Sequence, residues 1–146
     1  MILLIALTNS AIAQTTSKSD SITLNEPVYQ LRTYQIPKEN RLNFHNRFKE
    51  HAYRIMKKYG FTIVGIWESE YKERIEFIYL LEWKNEDSMK AAWNNFMTDK
   101  EWKDIKAQTS KMYGNFVDNI EDRTLKLTNY SPQIKLTTDG RNPTNR

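Results

Sequence analysis

Few side chains in this sequence are of types that do chemistry, and their spacing limits what they can do together. There are two histidines, His45 and His51, both in a segment that reads as one helix. At ~100° per residue a spacing of six sets them about 120° apart around the axis, too far for one metal ion. The chain has no cysteine, which excludes thiolate nucleophiles, disulfides and thiolate metal sites. Scattered carboxylates with no ligand spacing add no metal centre. His51 alone can act as a general base or polar anchor, since imidazole titrates in a useful range. The plainer reading is a boundary histidine bonded to a nearby carbonyl or carboxylate.

Arg32 lies in the middle of VYQLRTYQI (Val28–Ile36). A guanidinium on a strand needs a partner when buried. One reading is an ion pair with Glu76 or Glu82, and the other is an arginine that holds a ligand carboxylate. Trp67, Tyr79, Trp93 and Phe96 form an aromatic set that can line a cavity for a flat apolar ligand. The same spacings also serve a packed core. There is no Gly-rich phosphate loop, no G-x-S-x-G elbow and no paired-carboxylate motif, so no cofactor is called for.

The elements that must position these groups follow from pattern. VYQLRTYQI is β-branched and aromatic, closes at Pro37, and reads as a strand. Lys38–Tyr59 has Phe44, Phe48, Ala52, Ile55, Met56 and Tyr59 on one stripe, with Gly60 placed to end the helix. Arg47, Glu50, Arg54, Lys57 and Lys58 read as its solvated outer face rather than a nucleic-acid surface. Phe61–Glu70 and Arg74–Trp83 read as an antiparallel hairpin across Tyr71-Lys72-Glu73. In the second strand Ile75, Phe77, Tyr79, Leu81 and Trp83 share one face. Asn85 to Ser88 supplies a helix start for Met89, Ala92, Trp93, Phe96 and Met97. Thr98-Asp99 re-caps a helix carrying Trp102, Ile105, Thr109, Met112 and Tyr113, which Gly114 ends. A last strand lies within Val117–Thr128.

The chain is 146 residues with a net charge of +4 and both signs spread along it, which fits one soluble domain better than a polyanion binder. Aromatics make up 12% of residues, enough to fill a core or build an interface. Met1–Ala13 has a short apolar run and an A-x-A ending, the pattern left by signal peptidase, although no Lys or Arg precedes the run. The run is far below the ~20 residues needed to span a bilayer. The expectation is therefore a signal peptide over residues 1–13 and export to the periplasm or beyond, with no stable membrane insertion afterwards. Residues 14–26 read as a flexible Ser/Thr-rich linker, 27–134 as the domain and 135–146 as a polar tail.

The order β-α-β-β-α-β is the ferredoxin-like plan. Four stretches resemble the NIPSNAP family: Tyr29–Ile36, the Gly60-Phe61 turn leading to Gly65-Ile66-Trp67, Leu81-Glu82-Trp83, and Asp99-Lys100-Glu101-Trp102. His51 in KEHAYRIM falls where that family has an R-E-H-A-like segment, and Lys100 replaces a common proline. The resemblance implies an α+β fold, an antiparallel sheet with helices on one face, assembled as a homodimeric α+β barrel. The function expected is an exported binding protein for a small hydrophobic or aromatic molecule or a protein partner. The alternative is a cofactor-independent monooxygenase or isomerase with His51 as base and Arg32 or Tyr79 orienting the substrate.

Overall fold

The structure, a computed structural model, describes residues 27–132; the expected signal peptide, linker and polar tail lie outside them. Four strands form one antiparallel sheet: β1 (Val28–Ile36), β2 (Thr62–Tyr71), β3 (Arg74–Trp83) and β4 (Asn119–Leu125). Their spatial order is β2-β3-β1-β4, the ferredoxin-like arrangement that the pattern implied. The helices are α1 (Arg41–Arg47), α2 (Tyr53–Lys58), α3 (Glu86–Thr98) and α4 (Lys100–Tyr113). Among the described residues no helix is long and apolar enough to cross a membrane.

The helices cover one face of the sheet. Ile75, Phe77, Tyr79, Leu81 and Trp83, alternate residues of β3, are each at most 3% exposed and pack with Phe44, Ile55, Met56, Phe96 and Trp102. The other face carries Leu31, Ile78, Leu80 and Trp67, and Trp67 stays half exposed. Among the described residues only the first of these two sides of the sheet is covered by helices.

The expected first helix is not one continuous α-helix. It opens with a 3-10 turn at Lys38–Asn40, and a π-turn at Phe48–Ala52 separates α1 from α2. The apolar stripe survives, because Phe44, Ala52, Ile55 and Met56 are all buried. Gly60, at φ 80°, ends the arm: its N–H bonds to the Lys57 carbonyl and that of Phe61 to Met56, so the last turn closes through a left-handed residue. The β2–β3 link is a two-residue turn with Lys72 and Glu73 both at positive φ. Hairpin twist demands that conformation, which Asn-Gly supplies more easily.

Helix ends are tied by short polar side chains. Asn85 and Ser88 form a reciprocal capping box on α3. Buried Asn40 donates to the carbonyls of Tyr113 and Asn115, fastening the end of α4 to the start of α1. Met97, Met112 and Tyr113, expected on buried stripes, are exposed; the apolar faces of α3 and α4 are narrower than their periodicity suggests.

Asp99 is the only residue between α3 and α4. Its carboxylate accepts from the Trp102 N–H at 2.8 Å, Lys58 Nζ at 3.0 Å and Tyr59 Oη at 2.7 Å. The Tyr59 hydroxyl, then the Trp102 N–H and Lys58, hold this carboxyl well below its ordinary range. A depressed folded-state pKa stabilises above the unfolded value of 3.8, and the benefit disappears as pH falls through the folded value. Asp99→Asn is therefore expected to lower the urea midpoint at pH 7, with the gap to wild type closing as the medium is acidified below that unfolded value.

Candidate functional site

The side chains of chemical interest lie between the sheet and the helices. Because β1 pairs Arg32 with Tyr79 on β3 and with Asp122 on β4, alternation sends Gln30, Arg32 and Tyr34 to the helix-covered side. Gln30 is 3% exposed. Its Oε1 accepts the indole N–H of Trp83 at 3.1 Å and of Trp93 at 2.8 Å, and its Nε2 donates to both oxygens of Asp122 at 2.9 Å. Arg32 donates from Nη1 to Asp122 at 2.5 Å and from Nη2 to the Tyr34 hydroxyl at 2.9 Å. The Tyr34 and Tyr79 hydroxyls are 3.1 Å apart. A single run of hydrogen bonds thus connects two indoles on one side to Tyr79 on the other.

Arg32 does not pair with Glu76 or Glu82. Those residues alternate with Ile75, Phe77, Tyr79, Leu81 and Trp83 and lie on the opposite face, while Asp122 on β4 sits directly across from Arg32. The guanidinium also stacks over the Trp93 ring at 4.6 Å, and its Nε is buried with no acceptor among the described residues. Burial and the neighbouring Tyr34 raise the Tyr79 hydroxyl well above its ordinary pKa, against an opposing pull from Arg32. It is a neutral O–H at physiological pH.

Beside this run lies a cavity of about 50 Å³. Phe44, Phe48, Ala52, Met56, Phe96 and Trp102 form its apolar wall, and Tyr34, Tyr79 and Arg47 supply the polar atoms. The π-turn contributes Phe48 and Ala52; such turns are frequent at functional sites.

Of the expected site residues, Tyr79 and Phe96 line the cavity. Trp93 is one layer away, packed on Arg32 and Phe61. Trp67 is on the bare side of the sheet, its indole folded over Gly65 on the same strand. His51 lines a separate surface groove with Lys58, Asp99, Glu101 and Asp104, so it does not meet Arg32, Tyr79 or the cavity. His45 goes elsewhere again, with Nε2 2.7 Å from Glu68, which also binds Arg41. Among the described residues no cluster of three or more His, Asp or Glu can hold a metal ion.

Sequence reasoning missed Tyr34 and Arg47. Tyr34 shares its strand face with Arg32, which was a usable signal. Arg47 was assigned to the solvated face, but it turns inward against Phe116 at 3.9 Å and Trp102 at 5.6 Å, three residues after Phe44 on the same helical side.

The NIPSNAP family model matches residues 29–132, most of the chain, and the chain belongs to that family. Its fold is similar to those of several solved proteins. One is an uncharacterized NIPSNAP-like domain protein from Burkholderia xenovorans (TM-score 0.63, 11% identity, covering 74% of this chain and 90% of that one). Two are NIPSNAP family proteins from Agrobacterium tumefaciens: one at TM-score 0.63 and 16% identity, covering 74% of this chain and 99% of that one, and the other at TM-score 0.63 and 18% identity, covering 74% and 94%, the latter described as of unknown function. At these identities the likeness is one of fold. No curated protein matches the chain. Several stretches that carry the family resemblance do structural work here: Gly60 closes a helix, Trp83 bonds Gln30 and Asp99 caps α4.

Gln30 is the hub of the polar run, and removing its amide strands two indole donors and weakens the hold on Asp122. Gln30→Leu is expected to destabilise the domain by about 3 kcal/mol, from ~1–3 kcal/mol per stranded buried group, seen as a lower urea midpoint at constant slope.

Proposed function

We propose that this chain is an exported binding protein of the NIPSNAP family, working as a homodimer and holding a small, largely apolar molecule between helices and sheet. The cavity carries this reading. Its wall is aromatic, its polar groups are few, and they converge, which is how small-molecule sites are generally built. At about 50 Å³ it suits a molecule of a few non-hydrogen atoms. A larger flat ligand requires the helical cover to move, and the π-turn at Phe48–Ala52 is the irregular point in that cover.

Support for the dimer is the bare sheet face. Leu31, Ile78 and Leu80 form an apolar centre, edged by Glu76, Glu82 and Arg74 on β3 and Glu121 and Arg123 on β4. Mixed charge around an apolar middle suits a self-complementary two-fold contact, in which each patch faces its own copy. Export rests on the A-x-A ending of Ala11-Ile12-Ala13. The alternative, a cofactor-independent monooxygenase or isomerase with His51 as base, draws no support from the position of His51 on an outer groove away from the cavity.

Native mass spectrometry of protein purified gently from its own host tests both parts. A dimer with added small-molecule mass is the expected result; a dimer with no adduct shifts the reading to a protein-interaction module. Leu80→Asp places a charge at the centre of the bare face and is expected to give a folded monomer by light scattering. A variant that remains dimeric overturns the sheet-to-sheet contact.

A further inference from the structure

On the cavity wall, Arg47 and the Tyr34–Tyr79 pair carry more donor hydrogens than they have acceptors for among the described residues. Arg47 has one side-chain hydrogen bond, from Nη1 to Thr109 Oγ1 at 3.0 Å, and no carboxylate pairs with it among the described residues. Arg32, the other inward-facing arginine, has Asp122 as its acid, and exposed Arg41 and Arg54 have Glu68 and Glu101. Aromatic rings surround the Arg47 guanidinium, and they stabilise a cation only in part. A like charge stands close by: Lys106 shares the Trp102 ring with Arg47, 5.8 Å from its centroid, and its ammonium is pushed down by burial and then by Arg47. Burial likewise pushes the Arg47 guanidinium down to about 10, against Tyr34. It remains charged at neutral pH, in a place that disfavours unpaired charge.

The tyrosine pair adds a second unmet donor. Tyr34 and Tyr79 bring two O–H hydrogens, and one of them lies between the two oxygens. Arg32 already donates to Tyr34, so that oxygen's needs are met from the other side. The second hydroxyl hydrogen has no acceptor among the described residues, whichever tyrosine carries it. Both tyrosines line the cavity, and Tyr79 is 1% exposed. A ligand that fits must therefore accept hydrogen bonds, carry negative charge and have an apolar body.

We infer that the cavity is a carboxylate site: the guanidinium of Arg47 and the free hydroxyl of the Tyr34–Tyr79 pair take the two oxygens of a small monocarboxylate, while its hydrocarbon part rests on Phe44, Phe96 and Met56. This rests on the binding reading above and gives its ligand a chemical class. It also moves to Arg47 the carboxylate-holding role for which Arg32 is the sequence candidate; Arg32 instead has Asp122. A guanidinium fork is suited to two-point recognition of a planar carboxylate, and the apolar wall replaces water around it.

The test uses the full chain, with propionate and butyrate as probes and propionamide and butyramide as neutral isosteres, followed by calorimetry and by chemical shifts of the Tyr34 and Tyr79 rings. Carboxylates are expected to bind at least tenfold tighter than their amides and to move both ring signals. Arg47→Gln is expected to abolish that preference, Arg47→Lys to retain part of it, and Tyr34→Phe to weaken it several-fold without unfolding. Amides that bind as well as acids overturn the carboxylate assignment and leave an apolar pocket standing. No binding by either class, in a folded protein, overturns the pocket itself. Should Arg47→Gln fail to fold, the acid-to-amide ratio in wild type and Tyr34→Phe decides the matter alone.

Discussion

β1 is bonded along nine positions to β3 and along seven to β4, and this double pairing determines what the rest of the chain can do. In a strand, a slip of one residue exchanges the two faces. Here that slip would carry Gln30, Arg32 and Tyr34 to the bare side and bring Leu31 and Thr33 under the helices. The indoles of Trp83 and Trp93 would lose their acceptor, and Asp122 would face nothing. Register is thus fixed by hydrogen-bonding demand as much as by apolar burial, and the helices settle on a floor that is partly polar.

That floor explains the division of the interior. Toward α3 and the end of β3, Phe61, Trp83, Trp93, Phe96 and Trp102 pack ring against ring, with centroids 4.8–5.9 Å apart. Toward α1, Phe44, Phe48, Phe77 and Tyr79 form a second cluster. Aromatic pairs at these distances are worth a little beyond the area they bury. The cavity falls where the two clusters meet, under the π-turn. Large flat rings of fixed shape do not tile such a junction completely, and the gap that remains has Arg47 on its wall.

The sequence was clear on elements and less so on partners. β1 and β3 run as their patterns indicate, because unbroken alternation bounded by Pro37 on one side and a turn on the other has one local solution. The hairpin was legible from its length alone; nothing in Lys72-Glu73 advertises positive φ, since the turn is imposed by the strands on either side. Arg32 was rightly suspected of needing an acid, but its partner lies 90 residues away, and periodicity says nothing across that gap. Arg47 was misplaced for a related reason. On a helical wheel it belongs to a charged run, and only the packing of α4 and Phe116 shows that this edge of α1 is covered. Trp67 and Tyr79, grouped by composition, are separated by the thickness of the sheet, which the bulge between Ile63 and Gly65 fixes.

The order in which the chain emerges during synthesis meets an awkward condition here. β4 is the last of the four strands to be made, yet its place is beside the strand made first. Until Asp122 arrives, one long edge of β1 has its backbone groups unpaired and Arg32 has no counter-charge. An incomplete chain therefore offers a sticky edge with a bare cation beneath it. Closing a sheet across so long a stretch is intrinsically slow, so β4 acts as a latch: it completes the ladder and neutralises the interior in a single event.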